Sequence, residues 1–172
     1  MCLQLYLASP LTLSEVRAML PEGVVADLVS PAIQRLWTER FPAARIVVTL
    51  RQGQCACGLA GQRHEDNAEE ERRLRARYRK AGVDRLRVMT ALDRHRRAPP
   101  HHRSAGAAQL LAGFVAEHAR NAGPSLYFLD FSAESERMPP WPDADPSSIT
   151  ATQVRAQPES WLPEQTPVLV TA

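Results

Sequence analysis

Apolar and polar residues alternate at the start of the chain. Leu3, Leu5 and Leu7 fall on one side of an extended segment and the residues between them on the other, which is the period of a β-strand. Short apolar runs predict further strands. These runs cover residues 45–50, 85–92 and 125–131, and a shorter piece at 24–29 is compatible with one more.

Apolar residues at helical spacing predict four helices. The second begins at Ser30, a capping residue, followed by Pro31 in the first turn, and Gly82 ends the third. The predicted helices cover residues 12–20, 31–41, 65–80 and 104–121.

Strands that alternate with helices predict an α/β fold. At 172 residues the chain is long enough for one full core, so we expect a single domain at residues 1–131. Its sheet is predicted to be mixed or mostly parallel and to be flanked by helices.

The sequence changes in character after residue 131. Seven of the fourteen prolines lie between residues 139 and 167, with Trp141 and Trp161 among them. Two tryptophans in a free tail would expose a large apolar surface, so residues 132–172 are predicted to form a proline-rich tail packed on the core. Edge strands are expected at residues 148–155 and 167–171.

Composition narrows the class of protein. The hydrophobic fraction of 44% and the charged fraction of 23% are ordinary for a globular protein. No apolar run reaches the roughly 20 residues that a membrane helix needs, so no membrane is expected. The start of the chain has no basic segment before its apolar stretch, which predicts a cytoplasmic location, where thiols stay reduced.

Positive charge is concentrated in the middle of the chain. Residues 63–103 carry thirteen lysines or arginines against seven acids, while the whole chain has a net charge of +2. Phosphate contacts need clustered cations, but acids interrupt this cluster and Tyr78 is its one Phe, Trp or Tyr residue. We therefore expect a solvated helix face and no nucleic-acid partner. An interaction module that uses the basic helix at 65–80 stays an alternative.

The three cysteines, Cys2, Cys55 and Cys57, carry the main candidate chemistry. The last two form a Cys-x-Cys pair between Gly53 and Gly58, directly after a predicted strand. In an extended segment their Cα atoms are roughly 6.5–7 Å apart and their side chains point the same way, which suits two thiolates on one soft ion. We therefore predict a metal site at Cys55, Cys57 and Cys2 for Zn or Cu(I), with thiol-based sensing as the other use.

The ligand count limits this site. Zinc needs four ligands, which two sulfurs cannot supply, and iron–sulfur clusters also take cysteine ligands. Alternatively, the two cysteines are small buried residues beside a turn that needs its glycines for positive φ. Further candidate ligands are His64, His95, His101 and His102, although a polar loop is the preferred interpretation of residues 94–103.

Strand direction decides whether Cys2 can join the pair. Cys2 lies at the start of its predicted strand, whereas Cys55 follows the end of another. Parallel strands would separate the two residues by roughly 20 Å, and antiparallel strands would bring them to one edge of the sheet. The sequence permits both arrangements.

Three short features of the sequence occur together in one group of proteins. They are the start Met1-Cys2 with a strand ending in Tyr6-x-Ala8-Ser9, a strand that leads into Gly53-x-Cys55-x-Cys57-Gly58, and a later Leu126-Tyr127 strand. In these features the chain resembles uncharacterised bacterial proteins that begin Met-Cys and carry a Gly-x-Cys-x-Cys-Gly turn. The resemblance covers about half of the chain and implies no function, only that the two cysteine features belong together.

An enzyme is the second class of function. Removal of Met1 would leave Cys2 as an N-terminal nucleophile whose α-amine acts as the base, as in a hydrolase or amidotransferase. Amidotransferases of this type begin Met-Cys-Gly, whereas this chain has Leu3. No phosphate-binding glycine loop, nucleophile elbow or His-Glu-x-x-His motif occurs in the sequence. A homo-oligomer is compatible with the sequence.

Two polar residues occupy otherwise apolar elements. His118 falls on the apolar face of its predicted helix, where we expect a hydrogen-bonded residue of the core. Asp130 lies near the end of a predicted strand, where it would line a pocket at the sheet edge or cap the strand.

Overall fold

The sheet is the frame of the fold. In the described residues it has six strands: β1 (Cys2–Ser9), β2 (Val24–Leu28), β3 (Ile46–Gln52), β4 (Ser125–Ser132), β5 (Ser147–Thr150) and β6 (Val168–Thr171). They lie in the order β2-β3-β1-β4-β6-β5, and every neighbouring pair is antiparallel except β5 and β6. The predicted α/β class with a mixed sheet is confirmed, and antiparallel pairs dominate that sheet.

This computed structural model describes residues 2–53, 56–60, 71–72, 75–76, 78–79, 82–97, 105–132, 145–163 and 166–172. The helices with defined bounds are α1 (Leu13–Met19), α2 (Pro31–Arg40), α3 (Cys57–Ala60), α4 (Arg85–Arg97), α5 (Ala105–Ala122) and α6 (Ala151–Ala156). Within these ranges, no helix is both long enough and apolar enough to cross a bilayer.

Local sequence signals set the start of two helices, and the start of α2 after Ser30 is as predicted. Thr12 caps α1 in a capping box: Glu15 N donates to Thr12 Oγ1 at 3.3 Å, and Thr12 N donates to Glu15 Oε2 at 2.7 Å. Hydrogen bonds from the Thr12 side chain and backbone hold the pKa of Glu15 below its usual value. Ser30 accepts a bond from Ile33 N at 3.4 Å, with Pro31 in the first turn of α2.

Alternation along β1 sends its side chains to two buried faces of the sheet. Leu3, Leu5 and Leu7 pack in the larger core, to which α5 contributes, whereas Tyr6 and Ala8 pack in a smaller core beneath α2. Helices cover both faces at this strand, so both sets of side chains are buried.

The strand predicted at residues 85–92 is wrong, because this segment lies in α4. Asp84 Oδ1 accepts hydrogen bonds from the backbone N–H groups of the second and third residues after it, at 2.9 and 3.1 Å. Val88 and Leu92, four positions apart, pack on the larger core. Val88 and Leu92 therefore form the inner side of a helix, and Asp84 was the sequence signal for its start.

Gly82 ends the basic helix predicted at residues 65–80. Its φ is 67°, its N–H donates to Arg79 O at 3.1 Å, and Val83 N donates to Tyr78 O at 3.0 Å, which together form a Schellman motif. Residues 71–72, 75–76 and 78–79 are helical, and the remainder of the predicted helix lies outside the described residues.

The C-terminal part of the chain adds strands to the sheet. The structure differs from the strand predicted at residues 148–155, since β5 ends at Thr150 and α6 follows it. A capping box explains the change: Gln153 N donates to Thr150 Oγ1 at 3.2 Å, and Thr150 N donates to Gln153 Oε1 at 2.8 Å. The segment predicted as an edge strand at 167–171 forms β6, which lies inside the sheet between β4 and β5.

β2 is an edge strand, and a side chain occupies part of its open edge. Val29 N donates to Val47 O, so the backbone N–H and C=O groups of Val29 and of every second residue before it face β3. The backbone groups of Ala26 therefore point to the open edge. Arg17 Nε and Nη2 both donate to Ala26 O, at 3.1 and 2.9 Å. Because Arg17 of α1 occupies an outward carbonyl of this edge strand, it opposes pairing of β2 with a second sheet.

Arg17→Ala should therefore promote self-association through β2 and lower the free energy of unfolding by about 1–2 kcal/mol, because Ala26 O loses a charged donor. Sedimentation velocity and urea unfolding measure the two effects. Arg35→Ala, an exposed change on α2, is the control. A variant that sediments like the unmodified chain and has unchanged stability would contradict this role.

Candidate functional site

The cysteines belong to the end of the sheet at which β1 begins and β3 ends. These strands are antiparallel, with Leu5 opposite Leu50, so the start of one lies beside the end of the other. After β3 the chain turns at Gly53, whose φ is 68°, and returns to β1 at Ala56 and Cys57. Of the two strand arrangements that the sequence permits, the antiparallel one is present.

Two hydrogen bonds attach the start of α3 to β1. Ala56 N donates to Leu3 O at 3.1 Å, and Leu3 N donates to Cys57 Sγ at 3.3 Å. The pairing of β1 with β3 begins at Leu5, so at Leu3 the turn supplies the donor and the acceptor that a neighbouring strand would provide. Ala56 and Cys57 are 1% and 6% exposed, so this junction is part of the core.

The contact at Leu3 limits the separation of Cys57 from Cys2. Leu3 N is bonded to the carbonyl carbon of Cys2, so Cys57 Sγ lies no more than about 5.8 Å from Cys2 Cα, from standard backbone dimensions. Two thiolates on one ion, or two sulfurs in a disulfide, require a separation of this order. The side chain of Cys2 and the whole of Cys55 lie outside the described residues.

Arg51 holds the turn from the β3 side. Its Nε donates to Asp27 Oδ2 at 2.6 Å, and its Nη1 donates to Gly53 O at 2.5 Å. The side chains of Arg51 and Asp27 are 40% and 43% exposed, so this ion pair adds little to stability. It does fix the carbonyl from which the Cys-x-Cys turn starts.

Burial also gives Cys57 a purely structural explanation. A cysteine behaves as a small hydrophobic residue in a core, and its sulfur satisfies a backbone donor that would otherwise be buried without an acceptor. This explanation covers Cys57 alone. It gives no reason for a second cysteine at position 55 or a third at position 2.

A second polar cluster is buried at the other end of β1. Ser9 Oγ lies 2.8 Å from His118 Nε2, Tyr127 Oη lies 3.1 Å from His118 Nδ1, and Leu11 N donates to Ser9 Oγ at 3.0 Å. Ser9, His118 and Tyr127 have no exposed surface. Burial lowers the pKa of His118 to about 4 and raises that of Tyr127 well above its usual value, so both side chains are neutral at pH 7.

This cluster joins α5 to the sheet and does not form an accessible active site. The contacts at Nε2 and Nδ1 follow the pattern of a serine-histidine pair with a tyrosine in place of the orienting carboxylate. A nucleophile with no exposed surface, however, cannot meet a substrate in this conformation. The expectation that His118 is a hydrogen-bonded core residue is confirmed.

Sequence reasoning missed Ser9 and Tyr127 as the partners of His118. The one available signal was a serine at the end of an alternating apolar strand, on the same side as Leu5 and Leu7. That signal is weak, because serine at the end of a strand is also common in turns.

The remaining candidate residues do not extend the site. Asp130 is fully buried on β4, so it does not line an open edge of the sheet. It lies opposite Gln4, whose Oε1 accepts a hydrogen bond from the Tyr6 hydroxyl. Within the described residues, no group of three or more His, Cys, Asp or Glu side chains could hold a metal ion. The side chains of His64, His95, His101 and His102 lie outside the described residues.

Comparisons with protein-family models, with curated proteins and with solved structures find no match to this chain. Its functional interpretation therefore rests on its own geometry.

Proposed function

We propose that the protein binds a soft metal ion, or responds to oxidants, through a thiol corner made of Cys2, Cys55 and Cys57. The observation that carries the proposal is the bond from Leu3 N to Cys57 Sγ, which brings this sulfur within about 5.8 Å of Cys2 Cα. Cys55 precedes Cys57 by two positions in the sequence, and the proposal assigns it as the third thiol.

Ligand chemistry favours Cu(I) over Zn for this corner. Soft thiolates select both ions, but zinc takes four ligands and three cysteines leave one position to be filled from elsewhere. Cu(I) is satisfied by two or three sulfurs. Zinc stays the second candidate, with one of the histidines outside the described residues as its fourth ligand.

Thiol-based sensing follows from the same proximity. Two thiols that approach closely form a disulfide when an oxidant such as hydrogen peroxide accepts two electrons, and the two thiol protons leave with the reduced oxidant. A disulfide at Cys57 would alter the sulfur that accepts the Leu3 N–H bond, so oxidation would disturb the start of β1.

Titration of the reduced, metal-free protein with Cu(I) against a chromophoric chelator tests the proposal. We expect one Cu(I) per chain and a thiolate-to-copper absorption band in the near ultraviolet. Cys2→Ser and Cys55→Ser should each weaken binding by about 100-fold or more, because even changes outside the ligand shell commonly weaken metal binding by about 10–100-fold.

Gln52→Ala, an exposed change beside the same turn, is the matched control and should bind Cu(I) as the unmodified chain does. Alkylation and mass spectrometry after peroxide treatment test the proposal of thiol-based sensing. We expect two thiols to be lost as one intramolecular disulfide. A chain that binds neither Cu(I) nor Zn(II), and whose thiols resist peroxide, would exclude the thiol corner as a functional site.

A further inference from the structure

Helix α4 presents two large apolar side chains to solvent. Leu86 is 75% exposed and Met89 is 59% exposed, and their spacing of three residues puts them on the same side of the helix. Val88 and Leu92 pack on the larger core. The helix therefore has an inner apolar side that holds it to the protein and a separate outer apolar pair.

The helix that carries this outer pair is basic, although the exposed Asp93, four positions after Met89, lies on the same side as the pair. The sequence of α4 contains five arginines and one aspartate. Arg85 and Arg87, which precede and follow Leu86 in the sequence, are both exposed. Arg87 Nε lies 3.3 Å from Asp84 Oδ2, and this ion pair is exposed to solvent. The exposed arginines Arg72, Arg75 and Arg79 lie in the helical residues just before α4. The surface combines exposed apolar groups with a cationic border.

The chemistry of the surface limits what can cover it. A second copy docked on the same side of α4 would bring two helices of net positive charge together, which opposes self-association except where an arginine meets Asp93. A nucleic acid would use the arginines but would gain nothing from exposed leucine and methionine side chains. An anionic lipid surface uses both features, since apolar side chains enter its interface and arginines pair with its phosphates.

We propose that α4 binds the surface of membranes that contain anionic phospholipid. Leu86 and Met89 enter the boundary between headgroups and acyl chains, and Arg85 and Arg87 contact lipid phosphates. No membrane is expected from the sequence because no apolar run is long enough to span a bilayer, but surface binding needs no such run. Assigning residues 85–92 to a strand also concealed the outer pair. The proposal does not depend on the thiol corner.

Sedimentation of the full chain with phosphatidylcholine vesicles, with and without phosphatidylglycerol, tests the proposal. We expect binding only to vesicles that contain phosphatidylglycerol, and binding that weakens as salt is raised. Met89→Ser should weaken it about tenfold through lost apolar burial. Arg87→Gln should weaken it about fivefold through one lost charge.

Two matched variants separate α4 from the rest of the surface. Leu28→Ser alters an apolar side chain with the same 59% exposure on β2, and Arg35→Gln removes an exposed arginine from α2. Neither should change vesicle binding. Circular dichroism of all four variants should match the unmodified chain, because each altered side chain is exposed.

Binding that requires phosphatidylglycerol and weakens in both α4 variants, but in neither control, supports the proposal. Three results would overturn it: no binding to phosphatidylglycerol vesicles at low salt, binding that Met89→Ser leaves unchanged, or tighter binding of duplex DNA than of vesicles by the same chain.

Discussion

Trp37→Ala should lower the free energy of unfolding by about 4 kcal/mol, in the range found when a buried aromatic side chain is truncated in a core. Trp37 is 1% exposed and is the one fully buried residue of α2. Its ring lies 5.4 Å from that of Tyr6 and 5.9 Å from that of Phe128, measured between centroids. These three rings form the centre of the smaller core.

The size of the effect follows from the way α2 is attached. Its other apolar side chains are half-buried, so removal of the indole leaves a cavity and takes away the main contact between α2 and the sheet. Urea unfolding followed by circular dichroism measures the loss. Arg35→Ala on the exposed side of the same helix should change stability by less than about 0.5 kcal/mol. A loss below about 1.5 kcal/mol for Trp37→Ala would show that α2 is held mainly by other contacts.

Acidification should destabilise the protein by about 3 kcal/mol between pH 6.5 and pH 4 through His118 alone, because its pKa is about 4 in the folded chain and near 6.5 in the unfolded one. Within this window the unfolded chain takes up a proton that the buried imidazole does not. The stabilisation is complete above about pH 6.5 and is lost as the pH falls towards 4.

The hydrogen bonds of His118 add a structural reason. Neutral imidazole has one donor and one acceptor, and Ser9 and Tyr127 occupy both nitrogens. Protonation makes both nitrogens donors, so both hydroxyl groups would have to accept at once. The hydroxyl group that donates to the neutral ring would then lose that acceptor. A charged ring is therefore disfavoured by this arrangement as well as by burial.

His118→Gln provides the test, because glutamine hydrogen-bonds without titrating. Its free energy of unfolding should be lower at pH 7, by about 1–3 kcal/mol for the altered buried bonds, and should fall less steeply with acid. Urea unfolding at a series of pH values gives both slopes. His101→Gln, at another histidine, is the control and should keep the slope of the unmodified chain. Identical slopes in the unmodified and His118→Gln chains would contradict the assignment.

Local patterns predicted most of the elements. Alternation identified β1, apolar runs identified β3 and β4, and the capping residue Ser30 marked the start of α2, because each signal depends on neighbouring residues alone. The strand prediction for residues 85–92 was wrong because a short apolar run is compatible both with a strand and with the inner side of a helix. In that case Asp84 was the better guide, through its hydrogen bonds to the first turn of α4.

The candidate site was predictable in composition but not in arrangement. The Cys-x-Cys spacing of Cys55 and Cys57 is visible in the sequence, and so is the third thiol at Cys2. Which edge of the sheet each residue occupies depends on the direction of β1 relative to β3, and no local period encodes that direction. The partners of His118 were hidden for a similar reason, since Ser9 is 109 positions away along the chain.

The sequence by itself determined the α/β class, the strand and helix signals, and the three thiols that make a soft-metal or redox site the leading hypothesis. Only the tertiary structure decided that β1 and β3 are antiparallel, that Leu3 N contacts Cys57 Sγ, and that α4 exposes Leu86 and Met89. The physical reason is the distance along the chain over which each interaction acts. Periodicity and capping act over a few residues, whereas strand direction and the exposed side of a helix are set by packing between segments that are distant in the chain.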